Sequence, residues 1–337
     1  MTRAELEETA QALVADGRGI LAADESTGTI AKRLASVEVE STFDTRRGYR
    51  ELLFTAPDLG HYVSGVILYD ETIRQNAADG TPFPEVLRRG HVVPGIKVDT
   101  GAKPLALCPG ETVTEGLDGL RERLAEYRGL GARFAKWRAV IRIGADMPTA
   151  TCIEANAHAL ARYAALCQDG GLVPIVEPEV LMDGSHDIDT CELVTTAVLR
   201  RVFDDLHTHR VVLEAILLKP SMVIAGRDSD YPAGVEEVAE RTLHCLRRTV
   251  PAAVPGIVFL SGGQSSEQAT AHLNAMNTGF GPHPWTLSFS YGRALQDQAL
   301  KAWRGAADNA EAAQRILVRR AMLNSAACRG AYTGEAA

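Results

Sequence analysis

The feature that most constrains the fold is a regular alternation of short apolar runs with longer amphipathic segments along all 337 residues. The apolar runs are nearly continuous, which is typical of strands buried on both faces of a parallel sheet. Their starts lie roughly 30 to 45 residues apart, the length of one strand-and-helix unit. The predicted strands span residues 19–24, 63–69, 92–98, 132–141, 172–177, 213–219, 257–261 and 285–290.

Segments with helical periodicity separate these strands. Helices are predicted at residues 112–130, 148–168, 187–209 and 264–277, and amphipathic starts at Arg3 and Asp308 predict extra helices at either end. Eight strands, each followed by a helix, predict an α/β fold of the TIM type, a (β/α)8 barrel with additional N- and C-terminal helices.

A doubly wound open sheet is the competing arrangement. That fold typically carries G-x-G-x-x-G after its first strand, and residues 19–28 contain no such motif. The chain has no linker rich in Pro, Gly or Ser and no low-complexity tract. We therefore expect a single domain over residues 1–337, with the barrel over about 19–303 and a C-terminal helix and short tail over 304–337.

Composition and charge exclude several classes of protein. The net charge is −8, with 35 basic residues scattered among 43 acidic ones, which argues against a nucleic-acid or membrane partner. The N-terminus is acidic and amphipathic, unlike a secretory signal, and no apolar run approaches the roughly 18 residues of a membrane span. Six widely spaced cysteines and nine histidines without ligand spacing predict a cytoplasmic protein with reduced thiols and no metal site.

Polar and charged residues stand where the predicted strands end. Barrel enzymes place their active sites at the C-terminal ends of the strands, so such residues meet on one face. A single polar strand end has an ordinary structural explanation, whereas many that converge favour an active site. Seven of the eight predicted strands contribute: Asp24, Lys97, Lys136 with Arg138, Glu177 with Glu179, Lys219, Ser261 and Ser290.

Two lysines interrupt apolar strands, at Lys136 and Lys219. Lysine is almost never buried unless it is paired or functional. Burial and a neighbouring ammonium would both disfavour the charged form of Lys219, which favours an amine that attacks a carbonyl carbon and forms a Schiff base. Glu177 on the adjoining strand can shuttle the protons of that reaction. A buried Lys–Glu ion pair that only stabilises the barrel is the alternative.

Two segments are candidate anion sites. The Ser-Gly-Gly turn at 261–263 follows a strand and opens a helix, so backbone N–H groups and the helix dipole can hold a phosphate, with Arg293 as a second contact. Residues 25–29, with Arg33 one helical turn on, can form another anion site at the opposite rim. Two phosphate sites that flank an amine suit a sugar phosphorylated at both ends.

The same residues lie in blocks that resemble the class I fructose-1,6-bisphosphate aldolases. The matching blocks are GILAADESTGTIAKRL, GVIL, GIKVD, FAKWR, VPIVEPE, LLKPSM, FLSGGQS and FSYGRALQ, which span residues 19–296. The resemblance implies a metal-independent lyase of glycolysis and gluconeogenesis, without a cofactor and assembled as a homotetramer. It implies reversible cleavage of fructose 1,6-bisphosphate to dihydroxyacetone phosphate and glyceraldehyde 3-phosphate.

The resemblance also implies a role for each site residue. Lys219 forms the Schiff base, and Glu177 transfers protons during carbinolamine dehydration, with Glu179 in support. Asp24 takes the proton of the C4 hydroxyl as the C3–C4 bond breaks, and Lys136 contacts the substrate and keeps Lys219 neutral. The implied phosphate contacts are Ser261, Gly262, Gly263, Ser290, Gly292 and Arg293 on the ketone side, and Ser26, Thr29, Arg33 and Lys97 on the aldehyde side, with Arg138 lining the cleft.

One family feature does not match. Many members end in a tyrosine that assists proton transfer to the enamine, whereas this sequence ends in Thr333–Gly334–Glu335–Ala336–Ala337. We expect either a trimmed tail or another acid in that step.

Two functional alternatives stay open beside the cleavage of fructose 1,6-bisphosphate. One is an imine-forming aldolase that prefers fructose 1-phosphate or sedoheptulose 1,7-bisphosphate. The other is a non-catalytic barrel scaffold, against which the charged residues argue, since a scaffold has no need of costly buried charges.

Overall fold

The computed structural model describes residues 2–336; residues 1 and 337, the outermost positions of the predicted domain, lie outside the described residues. Eight parallel strands form a closed barrel in the order β1-β2-β3-β6-β7-β8-β9-β10, with β10 returning to β1, and β4 and β5 form a separate antiparallel hairpin. The strands are β1 (Gly19–Ala22), β2 (Val63–Leu68), β3 (Val93–Lys97), β4 (Gly101–Pro104), β5 (Thr112–Glu115), β6 (Phe134–Ile141), β7 (Val173–Val180), β8 (Leu217–Leu218), β9 (Gly256–Phe259) and β10 (Thr286–Tyr291).

Helices surround this barrel, and the predicted (β/α)8 fold with extra helices at both ends is confirmed. No helix within residues 2–336 combines the length and the apolar character that a membrane crossing requires. The helices are α1 (Arg3–Val14), α2 (Thr27–Ala35), α3 (Phe43–Phe54), α4 (Asp70–Ile73), α5 (Phe83–Arg89), α6 (Leu120–Gly129), α7 (Ala150–Asp169), α8 (Ile188–Thr208), α9 (Val235–Thr249), α10 (Ser266–Thr278), α11 (Arg293–Trp303) and α12 (Ala310–Cys328).

Two predicted elements differ from the structure. The helix predicted at 112–130 is wrong in its first half, which forms β5, because Thr-Val-Thr favours a strand and Gly116 and Gly119 then adopt φ of 125° and 64°. The strand predicted at 213–219 reduces to β8, preceded by a 3-10 turn. Its ladder stops at Lys219, whose N–H still donates to Val176 at 2.8 Å, because the next residue, Pro220, has no N–H to donate.

The N-terminal end of the barrel is closed by packed apolar side chains. Helix α1 inserts Leu13 against the interior, and a Cβ built on Gly65 would lie 2.7 Å from its Cδ2 atom. The Phe134 ring fills the next layer, where a Cβ built on Gly95 would lie 2.3 Å from it. Glycine at these strand positions gives room to large side chains from other elements, so the lower half of the barrel is a packed core.

Towards the C-terminal ends of the strands, the interior changes from apolar to charged. Alternate residues of a strand point to the same side. The interior residues Phe134, Ile175 and Leu217 are therefore followed, two positions later, by Lys136, Glu177 and Lys219. The strand period that builds the apolar core thus also carries the charged side chains into the barrel.

Candidate active site

Four charged side chains meet inside the C-terminal end of the barrel. Lys136 Nζ on β6 lies 2.7 Å from Asp24 Oδ2, two residues after β1, and 3.1 Å from Glu177 Oε2 on β7. Lys219 Nζ, directly after β8, lies 3.2 Å from Glu177 Oε1. Both lysines are buried, with 4% of Lys136 and 3% of Lys219 exposed. The Glu177 carboxylate therefore lies between the two amines and contacts each with a different oxygen.

Mutual attraction outweighs burial in this cluster. Burial disfavours ionisation of Asp24, but the ammonium groups of Lys136 and Lys219 hold the pKa of Asp24 well below its ordinary value. The same balance lowers the pKa of Glu177. Burial also disfavours the charged form of Lys136, yet Asp24 and Glu177 raise the pKa of Lys136 above its ordinary value. At neutral pH the cluster holds two carboxylates and at least one ammonium.

The carboxylate of Glu177 has the geometry of a proton carrier. One of its oxygens faces Lys219 at 3.2 Å, and the other, Oε2, is buried and forms no hydrogen bond among residues 2–336 beyond its ion pair with Lys136. A carboxylate at this distance can accept a proton from an ammonium and return it to a leaving hydroxyl. The pair can therefore generate a nucleophilic amine and later expel water from its adduct.

Two further cations lie above this cluster, each held by a buried acid. Lys97 Nζ lies 3.1 Å from Asp99 Oδ1 and 6.0 Å from the centre of the Tyr69 ring. Arg138 contacts Glu179 through Nε, and the Arg138 backbone N–H donates to Asp99 at 3.3 Å. The structure thus places Glu179 against Arg138, and both cations stand at the rim of the charged interior.

The start of α2 brings three predicted site residues to the rim. Ser26 Oγ caps the helix by accepting from the Thr29 N–H at 3.4 Å, and lies 3.1 Å from Thr29 Oγ1. Arg33, one turn further on, contacts Glu25. A Cβ built on Gly292 would lie 3.7 Å from the other end of the Arg33 guanidinium. Ser26 and Thr29 therefore stand together, while Arg33 extends towards the end of β10.

The turn after β9 is shaped to receive an anion. Gly262 and Gly263 have φ of 56° and 95°, a left-handed conformation that a side chain would strain. Their amides donate no hydrogen bond to any of residues 2–336. Helix α11 begins at Arg293, three residues after Ser290. The Ser290 Oγ atom is buried and has no hydrogen-bond partner among residues 2–336. Free amides and a helix N-terminus favour a phosphate.

Two residues near the site, Asp99 and Arg227, were not predicted from the sequence, and Glu25 was predicted only as part of the candidate anion segment 25–29. In the structure Glu25 is buried, accepts a hydrogen bond from Arg50 at 2.6 Å and contacts Arg33, so its carboxylate holds cations. The signal for Asp99 was its place in GIKVD, two residues after a predicted site lysine and so on the same side of the chain. Arg227 lies in a loop after β8, beside the glycine turn, and no sequence pattern marked it.

Titratable groups elsewhere show no metal-binding arrangement. Among residues 2–336, no group of three or more His, Cys, Asp and Glu side chains converges as a metal site. The six cysteines are free thiols, and four of them are buried. The charged cluster in the barrel is therefore the main concentration of reactive side chains in the described part of the chain.

Comparisons with known proteins agree with this chemistry. The sequence profile of the class I fructose-bisphosphate aldolases matches residues 5–337. A probable class 1 fructose-bisphosphate aldolase of Xanthomonas axonopodis pv. citri is 61% identical over 99% of this chain and all of its own. The cytoplasmic isozyme of Cicer arietinum is 57% identical over 95% of this chain and 89% of its own.

The fold is similar to that of a solved relative. Fructose-bisphosphate aldolase from Plasmodium falciparum, in a complex with TRAP and a small-molecule inhibitor, superposes with a TM-score of 0.97 at 49% identity, over 98% of this chain and 96% of its own. Three findings agree: the barrel holds a lysine–carboxylate cluster, the profile matches nearly the whole chain, and the relatives are 49–61% identical. The chain belongs to the class I fructose-bisphosphate aldolases.

Proposed function

We propose that Lys219 is the residue on which this lyase forms its Schiff base. Class I fructose-bisphosphate aldolases cleave fructose 1,6-bisphosphate reversibly to dihydroxyacetone phosphate and glyceraldehyde 3-phosphate. The observation that carries the assignment is the contact of buried Lys219 Nζ with Glu177 Oε1 at 3.2 Å, which pairs an amine with a proton acceptor.

Imine formation then uses Glu177 twice. Glu177 takes a proton from the Lys219 ammonium, and the free amine attacks the C2 carbonyl of the ketose. A proton then passes from the attacking nitrogen to the former carbonyl oxygen, which gives a carbinolamine. Glu177 next delivers a proton to the carbinolamine hydroxyl, which leaves as water while the C=N bond forms. This delivery leaves Glu177 as a carboxylate again, the form that its lowered pKa in the resting cluster favours.

Carbon–carbon cleavage uses Asp24 and Lys136. Asp24 removes the proton of the C4 hydroxyl, the C3–C4 electron pair moves into the iminium, and the aldehyde fragment departs. The ammonium of Lys136, 2.7 Å from Asp24, keeps this base ionised before the step and stabilises the charge that moves during it. Protonation at C3 and hydrolysis of the imine release dihydroxyacetone phosphate and restore Lys219.

The two ends of the substrate bind on opposite sides of the cluster. Arg33 lies between the two groups of contacts, since it is one helical turn from Thr29 and also beside Gly292. Arg138, held by Glu179, lines the cleft between them. The ketone-side phosphate contacts Ser261, Gly262, Gly263, Ser290, Gly292 and Arg293, and the aldehyde-side phosphate contacts Ser26, Thr29 and Lys97.

The reaction requires no metal or cofactor, because the protonated imine itself accepts the electron pair of the broken bond. The family relationship supports a homotetramer built from one domain per chain, and the cytoplasmic and cytosolic relatives support a cytoplasmic location. The family relationship supports phosphorylated ketoses and trioses as the partners, which a local basic pocket must hold because the net charge of −8 repels anions. The same net charge argues against nucleic acid or an anionic membrane as a partner.

Trapping the imine tests the assignment. The enzyme is incubated with dihydroxyacetone phosphate and borohydride, and the reduced adduct is mapped by mass spectrometry in the wild type, Lys219→Arg and the exposed-lysine control Lys301→Arg. We expect the adduct on Lys219 in the wild type and in the control, and turnover that persists with a chelator. An adduct on another lysine, or activity that a chelator abolishes, would contradict the mechanism.

Substrate preference is measured on the same preparation. Two phosphate sites predict a higher kcat/KM for fructose 1,6-bisphosphate than for fructose 1-phosphate, because the second phosphate adds binding energy in the transition state. Sedoheptulose 1,7-bisphosphate serves as the second bisphosphate. No turnover of any of the three would favour the scaffold alternative.

A further inference from the structure

Arg227 lies in the loop between β8 and α9, and its backbone is fixed by the neighbouring loop after β7. The Arg227 N–H donates to the Met182 carbonyl at 2.8 Å, and the Asp228 N–H donates to the Gly184 carbonyl at 2.9 Å. A Cβ built on Gly226 would lie 2.2 Å from the Gly184 oxygen, so only glycine permits this approach. The point from which the Arg227 side chain extends is therefore set by contacts on both sides.

The Arg227 guanidinium reaches the glycine turn after β9. A Cβ built on Gly263 would lie 2.5 Å from one terminal nitrogen of Arg227 and 3.7 Å from one of Arg293. Two guanidinium groups thus converge on one point of a turn whose amides donate no hydrogen bond to any of residues 2–336. Cations and free N–H groups at one point leave positive charge that an anion would neutralise.

The nearest acid does little to neutralise this charge. Asp183 Oδ1 lies 3.9 Å from Arg227, beyond hydrogen-bond distance, and both side chains are more than half exposed. Arg293 forms no ion pair within the described range of the chain. The two arginines therefore form an electropositive wall on one side of the turn.

We propose that Arg227 is a substrate-binding residue that contacts the ketone-side phosphate from the β8 side, together with Arg293. This rests on the proposed function of the glycine turn as a phosphate site. Arg227 then adds a charged hydrogen-bond donor to a site otherwise built from amides, hydroxyls and Arg293. It increases the preference for ketoses that carry a phosphate at this end, since an unphosphorylated ketose gains nothing from the guanidinium.

Steady-state kinetics of Arg227→Gln and its matched control Asp183→Asn test the proposal. Arg227→Gln removes the guanidinium, whereas Asp183→Asn removes only the distant acid and leaves Arg227 free to bind. We expect Arg227→Gln to raise the KM for fructose 1,6-bisphosphate and the inhibition constant of inorganic phosphate about three- to tenfold, with kcat little changed. Asp183→Asn should leave both constants at or below their wild-type values. Arg227→Lys should give constants between those of the wild type and those of Arg227→Gln.

Two outcomes overturn the proposal. One is that both constants in Arg227→Gln stay within about twofold of the wild type. The other is that Asp183→Asn raises them as much as Arg227→Gln does, which would assign Arg227 to the ion pair. Borohydride trapping on Lys219 at saturating dihydroxyacetone phosphate, expected to be intact in both variants, separates this question from the imine assignment. If trapping fails in the wild type, the dissociation constant of inorganic phosphate, measured by calorimetry for the wild type and Arg227→Gln, still decides the role of Arg227.

Discussion

Lys136→Met should destabilise the protein far more than loss of an exposed lysine. Lys136 Nζ contacts carboxylates at 2.7 and 3.1 Å, and each contact is worth about 5–6 kcal/mol of attraction at an effective dielectric of ~20. The buried ammonium offsets much of this by its desolvation cost. Removing one partner of a buried ion pair nevertheless leaves uncompensated charge, so we expect a net loss of about 3–5 kcal/mol in the free energy of unfolding at pH 7.

The matched control is Lys301→Met. Lys301 lies 2.7 Å from Asp297 on the same helix, but the lysine side chain is 64% exposed. An exposed pair of this kind contributes no more than about 0.5 kcal/mol, because water and salt screen it. The two variants remove the same side chain and the same charge, so the difference between them isolates the effect of burial and of the two carboxylates.

The loss should depend on pH. Asp24 and Glu177 have lowered pKa values in the folded protein, so their contribution is complete above their unfolded pKa values near about 4 and disappears as the pH falls further. The raised pKa of Lys136 makes its contribution complete below about pH 10 and lost at higher pH. In Lys136→Met the ammonium that favours the charged carboxylates is gone, so Asp24 and Glu177 take up protons more readily. The difference in the free energy of unfolding between this variant and the wild type should therefore shrink as the pH falls from 7 to 5.

Urea unfolding followed by far-UV circular dichroism measures these quantities at both pH values. The reasoning fails if Lys136→Met is as stable as Lys301→Met at pH 7. It also fails if the loss grows as the pH falls to 5, because that would mean the two carboxylates do not carry the penalty.

Three further predictions concern the chemistry and the packing. Glu177→Gln should slow borohydride trapping with dihydroxyacetone phosphate about 100-fold or more, because the amide cannot carry protons; an unchanged trapping rate would remove Glu177 from the imine step. Asp24→Asn should trap normally but cleave fructose 1,6-bisphosphate at least about 100-fold more slowly, and equal losses in both assays would refute the division of roles. Gly95→Ala should cost about 1–3 kcal/mol in urea unfolding, because the new Cβ would lie 2.3 Å from the Phe134 ring. The control Gly28→Ala, with nothing within 4 Å, should not destabilise the fold.

The fold was predictable because it depends on local patterns. Continuous apolar runs at one strand-and-helix spacing predict a parallel barrel, and the polar strand ends predict that Lys136 and Glu177 meet on its C-terminal face. One exception was β5, where a helical pattern at 112–130 concealed three β-branched residues and two glycines in the left-handed conformation. There the competing signal was present in the sequence but was outweighed by the leucine spacing further along.

The site was predictable only in part, because pairing is decided in three dimensions. Strand ends predict which charges share a face, but not that Glu177 lies between the two amines or that Glu179 contacts Arg138. Arg227 was out of reach for a different reason: its position depends on a hydrogen bond to Met182, 45 positions earlier in the sequence. Loop positions set by such long-range backbone contacts leave no periodic trace in the sequence.

The floor packed by α1 and Phe134 closes the N-terminal end of the barrel, so a sugar reaches the charged cluster from the C-terminal ends of the strands. Under the mechanism proposed above, the intact sugar and both of its fragments share that approach. Because one fragment stays covalently bound to Lys219 after the bond breaks, the aldehyde leaves first, and in the direction of synthesis the order of binding reverses. Closing one end of the barrel thus makes each product leave on the side from which the substrate entered.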